Sequence, residues 1–215
     1  MSENDKNPHP PKPALAARVE ELRTALQGVP VNLLAERTGT SYQAIGPGRG
    51  EFRLSLVGAP VIITFPDFRI IDANDNELPS FFQAMVMYYF DSPNVVPTSG
   101  RWISFADLPD GRVYDSAFQG NTGNLLVKTY SLDIASLQLA CESLAGVVLS
   151  GYGDAAYVIQ ALPRIPVLVN YWQGDEDFPS TCKLLFDKSV SHYLPTEACA
   201  ILGSMLTRKL LKKAL

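Results

Sequence analysis

A chain of 215 residues, of which 47% are hydrophobic and 19% charged, can bury one sizeable core and lies within the usual size range of a single domain. The net charge is -4, from 18 basic and 22 acidic residues, and no long basic stripe runs along the sequence, which excludes the electrostatic footprint of nucleic-acid-binding proteins. No apolar run approaches the length of a membrane span, and the polar, proline-rich N-terminus lacks the apolar segment of a signal peptide. We therefore expect a cytoplasmic protein with no nucleic-acid or membrane partner.

The three cysteines, Cys141, Cys182 and Cys199, are odd in number and widely spaced. This spacing fits neither a disulfide framework nor the paired cysteines of zinc sites. Three scattered thiolates also cannot supply the usual four-cysteine coordination of an iron–sulfur cluster, so any such cluster would have to come from another chain. We expect all three to be buried thiols.

The first 13 residues are polar and rich in proline, which predicts an extended, disordered arm. A proline motif that binds a partner is an alternative interpretation of this segment. From Ala14 the pattern changes, because apolar residues recur at helical spacing up to Gly28. These residues are Leu15, Val19, Leu22 and Leu26.

The rest of the chain mixes helix and strand patterns. Short runs with apolar alternation or β-branched residues predict strands at 52–56, 61–65, 68–71, 157–162 and 165–172, the last two forming a hairpin at the sheet centre. Helical patterns occupy 31–37, 78–90, 125–145 and the segment from Pro195 to the C-terminus. The sequence thus predicts a single α+β domain over residues 14–215, with a mainly antiparallel sheet of about five strands packed against several helices, and a long C-terminal helix.

Several catalytic signatures are absent. The glycine-rich segment 46–50 precedes a strand rather than a helix, so it predicts a turn and not a phosphate-binding loop. Ser150 lacks the flanking glycine of a nucleophile elbow, and no His-Glu-x-x-His motif occurs. Because His9 lies in the expected arm, histidine chemistry would rest on His192 alone.

His192 lies five positions before Glu197, so the two could form a metal-binding or acid–base pair. A structural role is the alternative. If Pro195 is the first residue of the last helix, Glu197 is its third residue, where a carboxylate can reach back and cap free backbone N–H groups. The capping role is the interpretation that the sequence favours.

Asp175, Glu176 and Asp177 form an acidic turn directly after the predicted central strand. Three carboxylates could bind a hard cation, although calcium loops place their ligands at alternate positions. The favoured alternative is that the residues after the acids, 178–179, begin a helix whose N-terminus the carboxylates stabilise, which leaves no metal site. The aromatic Trp172 precedes the turn, and aromatic side chains beside carboxylates are typical of a pocket or partner surface.

Five segments of the sequence carry a family resemblance: 100–105, 162–166, 172–179, 185–187 and 192–197. Together they resemble an uncharacterised family of anaerobic bacteria and archaea that is known only as a domain of unknown function. Some of its members are fused to a small four-cysteine iron–sulfur module like that of corrinoid proteins. The resemblance therefore implies a role near corrinoid or one-carbon metabolism, with an iron–sulfur or corrinoid protein as the partner, but it identifies no reaction, cofactor or catalytic residue.

These observations lead to one functional expectation with two alternatives. We expect a non-catalytic accessory protein that binds a ligand or partner through one surface, formed by Trp172, the acidic turn 175–177, His192 and Glu197. The first alternative is a metal-assisted hydrolase or lyase that uses the acidic turn and His192. The second is a structural subunit of a larger complex.

Overall fold

The computed structural model describes residues 12–131 and 133–212. Its first helix, α1, spans Lys12–Leu26, and α2 spans Val31–Thr38 and ends at Gly39, which adopts the left-handed conformation with φ of 64°. The apolar stripe that predicted α1 is buried, with 7% exposure or less at each of its four residues. The predicted arm lies mostly outside the described residues, but its last two residues already belong to α1.

A four-stranded antiparallel sheet follows in chain order: β1 (Ser41–Gly46), β2 (Arg49–Leu56), β3 (Ala59–Phe65) and β4 (Ile70–Asp72). In β2, Phe52, Leu54 and Leu56 are buried and the residues between them are exposed, as the period-two alternation predicts. The glycine-rich segment forms the turn between β1 and β2, which confirms that prediction. The sequence did not predict β1, because this edge strand is largely exposed and has no apolar alternation.

A second antiparallel sheet contains five strands in the order β5-β9-β8-β7-β6. They are β5 (Trp102–Ile103), β6 (Val147–Val148), β7 (Ala155–Leu162), β8 (Ile165–Trp172) and β9 (Thr181–Asp187). The hairpin of β7 and β8 occupies the centre, as predicted, and β8 is buried over most of its length. The backbone N–H of Val57, after β2, donates to the carbonyl of Ala161 in β7 at 2.8 Å, which joins the two sheets.

Six further helices follow in the described chain. They are α3 (Ser80–Phe90), α4 (Gly111–Asn121), α5 (Gly123–Tyr130), α6 (Ile134–Glu142), α7 (Val190–Tyr193) and α8 (Thr196–Leu211), with a 3-10 helix at Phe105–Asp107. Of these, α5 packs against β9 and α6 against β7. The prediction of a single helix at 125–145 is wrong, because the helix is interrupted between Tyr130, where α5 ends, and Ile134, where α6 begins. The carboxylate of Asp133 accepts a hydrogen bond from the backbone N–H of Ser136 at 3.0 Å and thereby starts α6 as a new helix.

One hydrophobic core contains residues from both sheets and from the helices. The α+β class, the antiparallel pairing and the long C-terminal helix α8 are confirmed. The strands are divided between two sheets, where the sequence predicted one sheet of about five strands. In the part of the chain that the structure describes, none of the helices combines the length and apolar character that spanning a bilayer requires.

Candidate functional site

The acidic turn connects β8 directly to β9, and the helix predicted to begin at Phe178 does not form. One carboxylate oxygen of Asp175 accepts hydrogen bonds from the backbone N–H groups of Asp177 and Phe178, both at 2.9 Å. The N–H of Asp175 donates to the carbonyl of Phe178 at 2.9 Å, which closes the turn. Because the chain reverses here, the next residues pair with β8 and continue as a strand instead of a helix.

The side chains of this hairpin loop face solvent. Asp175, Glu176 and Asp177 are all exposed. The exposed fraction of the surface is 52% for Trp172 and 71% for Phe178. Among residues 12–131 and 133–212, no group of three or more His, Cys, Asp or Glu side chains is arranged to hold a metal ion. The structure thus assigns Asp175 a role in turn formation and leaves the two aromatic rings exposed beside the carboxylates.

His192 lies in the short helix α7, away from this loop. Its Nε2 is 3.0 Å from the backbone carbonyl of Asn94, so the ring nitrogen donates a hydrogen bond to the segment that precedes β5. The adjacent Tyr193 fixes the same segment, since its hydroxyl donates to the carbonyl of Val96 at 2.6 Å and accepts from its N–H at 2.9 Å. His192 therefore helps to hold the segment between α3 and β5.

Asp187, at the end of β9, fixes the other part of that segment. Its buried carboxylate accepts hydrogen bonds from the N–H and hydroxyl of Ser99, the N–H of Gly100 and the N–H of Ser189, at 2.8 to 3.1 Å. Burial by itself raises the pKa of Asp187, but the hydrogen bonds from Ser99 and Ser189 outweigh it and lower the pKa overall. This carboxylate is a structural anchor.

The six residues predicted to form one surface fall into two groups. Trp172 and the acidic turn lie near Thr181, where β9 begins. His192 and Glu197 follow Asp187, where β9 ends. The six residue steps from Thr181 to Asp187 correspond to roughly 20 Å at about 3.3 Å per residue. The structure brings Trp172 together with residues 175–177, but it does not bring them to His192 or Glu197.

Glu197 lines a cavity of about 330 Å³ between α4 and the first half of α8, which we call the α4–α8 pocket. Its walls come from the segment that leads into α4, from α4 itself, and from the chain around the start of α8. The lining residues are Phe105, Pro109, Asp110, Tyr114, Ala117, Phe118, Asn121, Ser191, Leu194, Pro195, Thr196, Glu197, Ala200 and Ser204.

The floor of the pocket is aromatic and closely packed. The rings of Phe105 and Phe118 stack with their centroids 4.2 Å apart and an interplanar angle of 9°. Gly203 of α8 allows this arrangement, because a Cβ at that position would lie 2.6 Å from Cε2 of Phe118. Gly111 has a similar role at the start of α4, where a side chain would collide with the carbonyl oxygen of Phe105.

The rim of the pocket carries two carboxylates. Asp110 adopts a left-handed conformation with φ of 57° just before α4 begins, in the Pro-Asp-Gly turn. Thr196 closes this end of the pocket, because its hydroxyl donates to the carbonyl of Pro109 at 2.7 Å. Glu197 contributes the second carboxylate from the first turn of α8, near the positive end of the helix dipole.

The predicted capping role of Glu197 is wrong. Pro195 is the N-cap residue and has no N–H group, so a carboxylate in the first turn has no N-cap donor to accept from. Glu197 is also the second helical residue and not the third. Within the described residues, no side chain caps the N-terminus of α8, and Glu197 faces the pocket instead.

The pocket can hold a small molecule with an apolar body. Asp110 and Glu197 are its only charged lining groups in the described structure, so the rim favours a cationic or hydrogen-donating end. Tyr114, Asn121 and Ser204 add further polar groups. Nothing in the sequence marks Phe105, Phe118 and Tyr114 as pocket residues, because isolated aromatics on helices are most often core. The Pro-Asp-Gly sequence at 109–111, which is typical of a turn, is the local signal beside the pocket.

The comparisons with known proteins show the family of this chain. A model of the family described as Domain of unknown function (DUF3786) matches residues 31–209, so the region from α2 through most of α8, including the whole pocket, is covered. No curated protein and no solved structure matches. The chain belongs to the DUF3786 family.

Proposed function

We propose that this member of the DUF3786 family is an accessory protein that binds a small molecule, composed of an apolar body and an amine, in the α4–α8 pocket. The observation that carries the proposal is the combination of an aromatic floor with two carboxylates on the rim. A volume of about 330 Å³ lies at the lower end of the range for ligand sites, which favours a small metabolite over a large cofactor.

The chemistry of the pocket defines the expected selectivity. Tyr114, Ala117 and Pro195 present accessible apolar surface beside the buried rings of Phe105 and Phe118. An aromatic or aliphatic ligand body gains free energy by leaving water there. An ammonium group next to Asp110 and Glu197 gains charge-assisted hydrogen bonds. A carboxylate at the same place would be repelled, so the charge of the ligand decides its affinity.

Isothermal titration calorimetry with three matched probes tests this proposal. Phenethylamine, phenethyl alcohol and phenylacetate share one ring and differ mainly in their polar end. Phenethylamine is expected to bind best and phenylacetate worst. The Glu197→Gln variant should weaken phenethylamine by roughly fivefold and leave phenethyl alcohol nearly unchanged.

Two further variants complete the experiment. Ala200→Trp places a large side chain in the pocket and should abolish binding of all three probes, provided that its melting temperature confirms a folded protein. Glu176→Gln removes the same charge from the distant hairpin loop and is the matched control, with no expected effect. Equal affinity for phenethylamine and phenylacetate, or full binding by folded Ala200→Trp, would overturn the proposal.

The hairpin loop supports a second candidate function, the binding of a protein partner. Trp172 and Phe178 expose 52% and 71% of their surface beside three carboxylates, and exposed aromatic rings are frequent anchors at interfaces. The proposed partner is an iron–sulfur or corrinoid protein of anaerobic metabolism, and the proposed setting is the cytoplasm. Loss of binding to such a purified partner in Trp172→Ala, with Val113→Ala as an exposed apolar control, tests this candidate.

A further inference from the structure

A second groove, of about 530 Å³, lies on the other side of α4. Asp115 and Gln119 of α4 line it, whereas Tyr114 and Phe118 of the same helix line the α4–α8 pocket. Neighbouring positions on a helix point in directions about 100° apart, so α4 separates the two cavities. The groove is completed by α5, which supplies Lys128, and by β9.

The two elements that form the groove are in direct contact. α5 begins at Gly123, and a side chain at this position would collide with the carbonyl oxygen of Cys182 in β9. This close approach of helix and strand places Lys128 on one wall of the groove and Lys183 on another. Two cationic side chains from separate elements therefore line one cavity.

Neither ammonium group is neutralised within the described part of the chain. Lys128 and Lys183 take part in none of its side-chain hydrogen bonds or ion pairs, although basic residues elsewhere, such as Arg69, pair with carboxylates. The groove contains one carboxylate, Asp115, which already accepts a hydrogen bond from Gln119 at 3.3 Å. With two cations and one anion, the groove has a net positive charge, in a protein whose overall charge is -4.

We propose that this groove is a binding site for a small, multiply charged anion of the organic phosphate or polycarboxylate class. Lys128 and Lys183 supply two point charges that can engage two anionic groups of one ligand. Asn124 and Thr181 line the same groove and add neutral donors that bind anionic oxygens without requiring a further charge. Because the protein carries a net charge of -4, the groove is a locally positive site against a negative overall charge, and it raises the local concentration of anions.

This site is independent of the α4–α8 pocket in charge and in lining residues. The pocket has two carboxylates on its rim and favours a cation, whereas the groove has two lysines and favours an anion. The two proposals can therefore fail separately, because the variants that test one leave the residues of the other unchanged.

Isothermal titration calorimetry with pyrophosphate and with citrate, at 50 mM and at 300 mM sodium chloride, tests whether the groove binds anions. Each of Lys128→Gln and Lys183→Gln should weaken binding by roughly fivefold, and the double variant should weaken it further. Binding should also weaken at the higher salt concentration. Lys188→Gln, which removes an exposed lysine just beyond the other end of β9, is the matched control and should bind as the unaltered protein does.

The two probes distinguish the sources of negative charge. Tighter binding of pyrophosphate assigns the site to phosphate-bearing ligands, and tighter binding of citrate assigns it to polycarboxylates; both results support an anion site. If neither probe binds at 50 mM salt, or if Lys188→Gln loses as much affinity as the groove variants, the proposal is overturned.

Discussion

Replacing Asp187 with asparagine removes a buried negative charge while preserving the shape of the side chain. The carboxylate is 1% exposed and accepts four hydrogen bonds, two from Ser99, one from Gly100 and one from Ser189. An asparagine side chain has one oxygen and one NH2 group in place of two oxygens. At least one backbone N–H group will then face another donor and lose its acceptor.

The expected loss of stability follows from these contacts. Hydrogen bonds to a charged group each contribute about 1.5 to 3 kcal/mol, and leaving a buried donor without a partner costs about 1 to 3 kcal/mol. Since the amide oxygen can keep some of the four bonds, the Asp187→Asn variant should lose about 2 to 4 kcal/mol of unfolding free energy. Urea denaturation followed by far-ultraviolet circular dichroism measures this difference.

The pH dependence gives a second readout of the same carboxylate. Because its pKa is lowered in the folded protein, Asp187 stabilises the fold fully above the ordinary aspartate pKa of about 3.9, and this contribution is lost as the pH falls below that value. The difference in stability between the protein and Asp187→Asn should therefore shrink on acidification. Asp91→Asn, at an exposed aspartate near the same segment, should change stability by less than about 0.5 kcal/mol. The anchoring role of Asp187 would be contradicted if Asp187→Asn lost as little unfolding free energy as Asp91→Asn. It would also be contradicted if the loss did not depend on pH.

Three further substitutions test other packing contacts. Gly203→Ala should cost about 1 to 3 kcal/mol in urea denaturation, because its Cβ would press against the ring of Phe118; an unchanged midpoint would contradict this packing. Tyr193→Phe should cost about 1 to 2 kcal/mol and speed amide exchange at Val96, whereas unchanged exchange would show that the tyrosine hydroxyl does not hold this segment. Arg164→Ala should speed amide exchange in the last turn of α2, whose terminal carbonyls the guanidinium caps, with no change expected in α8.

Much of the fold could be predicted from local patterns. Examples are the apolar stripe of α1, the period-two alternation of β2 and the apolar runs of β7 and β8. In each case only one type of secondary structure places all the apolar side chains in the core. Segments without such a pattern were missed, as β1 shows: it is an exposed edge strand that owes its conformation to pairing with β2. The break between α5 and α6 was also missed, because Asp133 ends one apolar pattern and begins another without a glycine or proline.

The candidate site was less predictable than the fold. The acids at 175–177 were expected before a helix, but the hydrogen bonds of Asp175 close a turn between two paired strands, and pairing with β8 is a tertiary effect. Glu197 was expected to cap α8, and the absence of an N–H group on Pro195 rules this out. The pocket itself depends on how α4 packs against α8, which no local spacing in the sequence specifies.

Segments that carry the family resemblance include structural contacts. Arg164 caps the end of α2, while Asp187 and Tyr193 hold the segment between α3 and β5. These contacts join elements that are far apart in the sequence, so replacing their side chains is expected to lower the stability of the fold. The shared residues in these segments therefore indicate a shared fold. We look for the function in the cavities that this fold forms.

Nuclear magnetic resonance can locate the bound amine and thereby test whether the α4–α8 pocket is the ligand site. Phenethylamine is titrated into uniformly 15N-labelled protein, and the shifted backbone amides are mapped onto the structure. We expect concentration-dependent shifts confined to the pocket, at Tyr114 and Phe118 of α4 and at Glu197, Ala200 and Ser204 of α8. Shifts centred on the hairpin loop after β8, or no saturable shifts at all, would contradict this expectation.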